Sequence, residues 1–182
     1  MKIDAIILAA GKGKRMQSAS PKVLQQVAGK ALLQHVLDTS LELKSCQPHI
    51  VVGDQASLVK ASVSAPKNSK WPKQAKQLGT GHAVKQSLKG LRAGSIALIL
   101  YGDVPLVKSS TMNNLVKAAG KNSLALLSFE QKTPKGYGRI IRSPRGKVLG
   151  IVEEKDATTE QKKITEVNSG IMAVASNLSL IH

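Results

Sequence analysis

A chain of 182 residues and 19.3 kDa can bury one sizeable core and is barely long enough for two. Hydrophobic residues make up 42% but aromatics only 2%, the rings of Trp71, Tyr101, Phe129 and Tyr137, so the core must be built from Leu, Ile, Val and Ala. A sugar-stacking lectin and an aromatic-platform RNA binder are disfavoured. The formal net charge of +16 predicts attraction to phosphate-rich partners, yet it divides as +4 over residues 1–60 and +12 over 61–182, without the dense block of a nucleic-acid tail.

The single cysteine, Cys46, cannot form an intrachain disulfide, and the lack of a CxxC pair leaves no thiolate zinc site, so the chain reads as cytosolic. The apolar run at Ile3 to Ala10 is interrupted by Asp4 and followed at once by glycines, so neither a signal peptide nor a membrane span is expected.

Ile3 to Leu8 suits a buried strand, and Ala9 to Pro21 reads as a loop rich in Gly, Lys and Arg. Leu32, Leu33, Val36, Leu37 and Leu41 recur at helical spacing and predict one core face. His49 to Val52 predicts a second strand, and Ala56 to Ala61 a short helix; the Pro66 to Pro72 stretch is turn-rich. Thr80 is placed to cap a helix running through His82, Val84 and Leu88, and Ile96 to Leu100 predicts a buried strand. This alternation favours an α/β layered sheet. Further on, Ser109 to Ala119 predicts a helix and Leu124 to Phe129 a strand. Gly136 to Gly138, Ser143 to Gly146 and Asn168 to Gly170 punctuate shorter extended pieces. Ile140 and Ile141 can pair with Lys147 to Val152 across a Pro-Arg-Gly turn, which suggests a small antiparallel insertion on the main sheet.

Chemistry concentrates in the loop after the first strand. Leu8-Ala9-Ala10-Gly11-Lys12-Gly13-Lys14-Arg15-Met16 offers glycines for close backbone approach and amides that can cradle a phosphate. Arg15 and Lys22 add charge suited to a polyphosphate. The loop is neither a dinucleotide fingerprint, since Met16 stands at the third glycine position, nor a Walker A loop, and a tight solvated connection is the plain alternative. Asp103 follows the strand at Ile96 to Leu100, at the strand end where ligands gather in open α/β sheets, so it either holds a magnesium ion or fixes the turn before Pro105. His82 reads as a structural helix-face histidine. His35, His49 and His182 lack partners at zinc-ligand spacing, and Ser18 and Ser20 lie in no nucleophile elbow.

The segment Leu8 to Arg15 with Pro21-Lys22-Val23-Leu24 resembles the signature of sugar-phosphate nucleotidyltransferases, a pattern that also occurs in the cytidylyltransferases of isoprenoid synthesis. Further stretches narrow the resemblance: Gln77-Leu78-Gly79-Thr80-Gly81-His82-Ala83, Leu100-Tyr101-Gly102-Asp103-Val104-Pro105-Leu106, Gly136-Tyr137-Gly138-Arg139-Ile140, Ile151-Val152-Glu153 through Asp156-Ala157, and Glu166-Val167-Asn168-Ser169-Gly170-Ile171. In order and over nearly the whole chain, they resemble the bacterial N-acetylglucosamine-1-phosphate uridyltransferases, the N-terminal halves of bifunctional enzymes that make UDP-N-acetylglucosamine.

The resemblance implies a Rossmann-like nucleotidyltransferase fold with a mixed central sheet. It also implies uridylyl transfer from UTP to N-acetylglucosamine 1-phosphate, with Mg²⁺ as cofactor. Carried over position by position, Leu8, Ala9, Ala10 and Gly11 contact the nucleotide while Arg15 and Lys22 neutralise its triphosphate. Gln74, Gly79 and Thr80 recognise uracil, Tyr101, Gly102 and Asp103 approach the nucleotide, and Asp103 holds the metal. Gly138, Glu153 and Asn168 take the sugar phosphate. A surface position for Gln74 and a packing role for Tyr137 stay open, as does the choice between Glu153 and Glu154, which only the motif makes. Lys14 and the Gly53-Asp54-Gln55 stretch depart from the family pattern without touching a residue assigned to chemistry. The chain is expected to be a uridyltransferase domain incomplete at its C-terminus, without the distal Asn that completes the metal site and without the trimerising acetyltransferase β-helix. An inactive nucleotide-binding remnant and another nucleotidyltransferase, such as a cytidylyltransferase, are the competing readings; nucleic-acid binding is the weakest.

Overall fold

The computed structural model describes residues 1–11, 20–120 and 123–176. They divide into two compact units, Met1–Ala125 with the chain from Met172 onward, and Leu126–Ile171.

The first unit is built around β1 (Ile3–Ala9). Its near-continuous apolar run is what a strand covered on both faces requires, and Ala5, Ile6 and Ile7 are fully buried. A two-residue hairpin, β2 (Gln26–Val27) and β3 (Lys30–Ala31), leads into α1 (Leu32–Leu41). The spacing-predicted face of α1 buries Leu33, Val36 and Leu37, whereas Leu41 is exposed, so the core stripe ends a turn early. Next come β4 (Cys46–Val52), which starts three residues before the predicted strand, α2 (Ala56–Ala61), α3 (Thr80–Ser87), β5 (Ile96–Tyr101) and α4 (Ser109–Ala119). Both β4 and β5 pair in parallel with β1, in registers that set Leu8 beside Val51 and Tyr101. The three strands therefore reach their carboxyl ends together. Met172 to Ala175 of β9 (Glu166–Ala175) run antiparallel to β5, giving the order β4-β1-β5-β9 and a mixed sheet.

Thr80 is the first residue of α3, not its cap; Gly79 holds that position at φ 95°, a conformation a side chain would strain.

The opposite, amino-terminal end of the sheet holds a buried carboxylate. Asp4 accepts from the Arg92 backbone N–H and from Arg92 Nε, both at 2.8 Å, with His49 Nε2 3.6 Å from Asp4 Oδ1. Burial pushes the carboxyl upward, but the polar groups of His49, Ser95 and Arg92 outweigh it and hold its pKa at about 2.

The second unit is antiparallel. It contains most of β6 (Leu124–Glu130), the hairpin of β7 (Arg139–Arg142) and β8 (Val148–Val152), α5 (Thr159–Lys162) and the start of β9. The hairpin pairs as its sequence predicts, with Gly146 at φ 79° in the turn. Thr158 caps α5 through a capping box with Gln161. Asn168 to Gly170, expected as a break between segments, lie inside β9 instead. Gly170 takes φ 79°, and its N–H donates to Asn168 Oδ1 while Ile171 N–H donates to Ser169 Oγ, so side chains satisfy the backbone through the irregularity.

Candidate active site

The carboxyl ends of β1 and β5 open onto a cleft of roughly 330 Å³ in the first unit. Nine sequence-predicted residues line it: Leu8, Ala10, Gly11, Lys22, Gln74, Gly79, Thr80, Tyr101 and Asp103. Two predicted contacts sit otherwise. Ala9 is buried at the end of β1 and borders an adjoining cleft. Gly102 is packed under the loop, where a Cβ would stand 3.0 Å from the Leu8 carbonyl and 3.2 Å from Leu33 Cδ1, so its part is to let the chain beyond β5 lie against β1. Arg15 lies outside the described residues, with Lys12, Gly13, Lys14 and Met16 of its loop, Ser18, and His182.

After Pro21 the chain forms a single helical turn, Lys22–Leu24, anchored by buried Val23. That turn brings Lys22 Nζ within 2.6 Å of Asp103 Oδ2. The turn after β5 is closed by the backbone, Val104 N–H donating to Tyr101 O, and Asp103 spends its carboxylate on Lys22. The Asp103 side chain is a quarter exposed, open to a ligand on the cleft side.

Gln74 is 4% exposed, which removes the surface alternative. Its backbone N–H donates to Val52 O at 2.8 Å, extending the sheet edge past β4. Its Nε2 donates to Gly79 O at 3.0 Å and lies 3.1 Å from His82 Nδ1. Gln86 Nε2 stands 3.2 Å from the other ring nitrogen, so His82 is a structural histidine, as its helix-face position predicts.

Two residues that hold Ala10 in place are absent from the sequence-derived site. Gln77 reaches across from the loop before α3 and donates from Nε2 to Ala10 O at 2.6 Å. Gly53 also touches Ala10, since a Cβ there would stand 2.9 Å from the Ala10 carbonyl oxygen. The expectation that the Gly53-Asp54-Gln55 stretch lies clear of the assigned residues is therefore corrected; Asp54 and Gln55 border the adjoining cleft with Ala10 and Gly11. Gln77 was visible within a quoted motif, but nothing local in the sequence links it or Gly53 to Ala10.

In the second unit Gly138, Glu153 and Asn168 come together. Asn168 N–H donates to Gly138 O at 2.8 Å, and a Cβ on Gly138 would meet Ile151 Cγ2 at 2.9 Å and Glu153 Oε1 at 3.2 Å. The two neighbouring glutamates are now distinguished. Glu154 accepts from Gly136 N–H at 3.1 Å and pairs with Arg139 Nη2 at 2.8 Å; those two donors hold its carboxyl below the usual range. Arg139 is buried and also donates to the Tyr137 and Lys162 carbonyls. Glu154 and Arg139 thereby brace the loop that Glu153 overlies. The Tyr137 ring packs edge-on against Phe129, 5.5 Å between centroids, which gives it the packing role.

Among the described residues no three His, Cys, Asp or Glu side chains converge on one point, and no helix is long and apolar enough to cross a membrane.

The description "MobA-like NTP transferase domain" fits residues 5–161. The chain is 52% identical over 175 residues to the bifunctional protein GlmU of Nitrosomonas eutropha, and 50% identical over 172 residues to that of Dechloromonas aromatica. These alignments cover 96% and 94% of the chain; it spans 38% of the length of each relative. A UDP-glucose pyrophosphorylase complexed with UDP-glucose superposes with a TM-score of 0.74 at 17% identity, covering 96% of this chain and 76% of the other. HddC from Yersinia pseudotuberculosis, complexed with GMP-PN, gives 0.71 at 23% identity, covering 98% and 79%. At such identities these two likenesses speak for the fold, a nucleotidyltransferase α/β architecture. The residues matched leave the assignment plain: the chain belongs to the MobA-like NTP transferase family.

Proposed function

We propose that the chain transfers a uridylyl group from UTP to N-acetylglucosamine 1-phosphate, releasing pyrophosphate and serving the synthesis of UDP-N-acetylglucosamine. The observation that carries this reading is the Lys22–Asp103 pair, 2.6 Å apart at the floor of a cleft that Gln74, Gly79 and Thr80 also line. The substrate assignment leans on the half-identical GlmU relatives.

A phosphate oxygen of the sugar substrate is already anionic at neutral pH and needs no base. It attacks the α-phosphorus of UTP in line, and the bond from that phosphorus to the α,β-bridging oxygen breaks, with the electron pair leaving on pyrophosphate. Lys22 offers a point charge to the triphosphate, and the Ala10–Gly11 backbone approaches it closely. Gln74 and the Gly79 backbone read the base edge. Gly138, Glu153 and Asn168 hold the amino-sugar phosphate, Glu153 accepting from a sugar hydroxyl.

A lone, partly exposed carboxylate beside a lysine fits a cation that takes most of its ligands from phosphate and water, which is the habit of magnesium. Asp103 is the residue that would hold it. When bound, Mg²⁺ would supply positive charge against the negative charge that develops on the pyrophosphate leaving group. The remaining work is alignment and charge neutralisation.

The test is pyrophosphate release by the purified chain with UTP, N-acetylglucosamine 1-phosphate and Mg²⁺, beside CTP, TTP and GTP. Turnover with UTP above the other nucleotides supports the reading. A cooperatively folded chain that turns over none of them, or prefers CTP, overturns it.

A further inference from the structure

We infer that Gln77 is a positioning residue for the nucleotide-binding loop: clamping the Ala10 carbonyl against the Gly53 backbone, it fixes the direction of the Gly11 N–H. This deepens the proposed function and rests on it for the identity of the nucleotide, though not for the clamp itself.

The parallel ladder of β1 with β4 ends at Ala9 opposite Val52. Ala10 is the first residue beyond it, buried to 8% exposure, and its carbonyl has lost the inter-strand donor its predecessors use. A buried carbonyl without a partner is unfavourable, and the donor found here comes from far along the chain: Gln77 Nε2, at 2.6 Å. The other side of that carbonyl is closed by Gly53, where a Cβ would stand 2.9 Å from Ala10 O and 3.4 Å from Ala10 Cα. The carbonyl is thus gripped between an amide donor and a backbone that only glycine lets come so close.

The chemical consequence follows from the peptide plane. The bond from Ala10 to Gly11 is trans, so its N–H points opposite to its C=O; fixing the carbonyl fixes the Gly11 N–H as well. Gly11 lines the cleft, and among the described residues nothing stands within 4 Å of where its Cβ would be. An amide preset in direction binds an anion without first losing conformational freedom. Gln77 is itself exposed, so core packing does not account for its placement.

The experiment uses the full chain with Gln77→Ala, Gln77→Glu, which keeps the shape and removes the donor, and Gly53→Ala. Backbone order at Gly11 is followed by NMR relaxation without nucleotide, and UTP affinity is measured by calorimetry. In both Gln77 variants the Gly11 order parameter is expected to fall while those of β1 stay unchanged, and the melting temperature is expected to drop modestly because the Ala10 carbonyl loses its donor. The dissociation constant for UTP is expected to rise on the order of tenfold, the scale of one lost hydrogen bond. An unchanged Gly11 order parameter in both Gln77 variants overturns the clamp, whatever Gly53→Ala does to folding. Should the wild-type chain bind no nucleotide, the proposed function fails, while the relaxation comparison still decides the clamp.

Discussion

Lys22 and Asp103 meet at 2.6 Å although one sits on the helical turn Lys22–Leu24 and the other beyond β5. Each is partly exposed, so the pair contributes little to stability. Its effect should fall on turnover. Asp103→Asn and Lys22→Gln are each expected to lower the rate of pyrophosphate release by on the order of 10²–10³, the scale of removing one preorganised charged group. Residues acting as a unit are not additive, so the double variant should lose little more than either single one. Rates multiplying independently in the double variant would show that the two act separately.

Gln74 joins the loop before α3 to the helix itself, through Gly79 O and His82 Nδ1. Gln74→Leu keeps the bulk and leaves the Gly79 carbonyl without its donor and His82 Nδ1 without its partner, which is expected to destabilise the chain by about 1–3 kcal/mol. It should also narrow the preference for UTP over CTP, read from competitive binding of the two nucleotides. Lost stability with undiminished preference would leave Gln74 a purely structural residue.

The architecture was readable wherever period and burial agree. The face of α4 follows from Met112, Leu115, Val116 and Ala119, and β5 from its unbroken apolar run. What escaped is irregular or remote. The β2–β3 turn puts Ala28 at φ 52° before Gly29 at φ 74°, and an alanine in the left-handed region gives no turn signal. β9 carries a glycine at φ 79° that reads as a terminus, because the polar side chains rescuing its backbone act only once folded. Thr158 and Gln161 do have capping-box spacing, so α5 was legible in principle. In the site, residues that follow strand ends were found from motif and position. Gln77 and Gly53 were not, because their bearing on Ala10 is a contact between distant segments.

Stability should fall in acid for a reason that can be assigned. Asp4 is held at about 2 against an ordinary value of 3.8, so its charged form is favoured in the folded chain. A depressed carboxylate contributes fully above its unfolded pKa and loses that contribution as pH drops through 4 toward 2, here about 2 kcal/mol. Glu166, held at about 2 mainly by Arg142 with Ser128 assisting, acts in the same direction and window. Urea midpoints between pH 7 and 2 should therefore decline below pH 4. Asp4→Asn should be weaker at pH 7 but less sensitive in that range, and an equal slope in variant and wild type would remove Asp4 as a cause.

Gly138 offers a way to separate the sugar-phosphate residues from the nucleotide cleft. A methyl group there would press on Ile151 Cγ2 at 2.9 Å and on the Glu153 carboxylate at 3.2 Å. The Ile151 contact is too close to stand and its side chain must shift, and the flexible Glu153 side chain gives way with it, so the Glu153 carboxylate leaves its place. Gly138→Ala is accordingly expected to raise KM for N-acetylglucosamine 1-phosphate about tenfold, one lost charge-assisted hydrogen bond, with the UTP dissociation constant unchanged. Glu153→Gln should reproduce the KM effect, since it weakens the same acceptor without moving the loop. Glu154→Gln differs in kind: it loosens the grip on Gly136 N–H and Arg139, so its cost should include a lower melting temperature. If Gly138→Ala instead weakened UTP and left the sugar phosphate untouched, the assignment of Gly138, Glu153 and Asn168 to the sugar substrate would have to be abandoned.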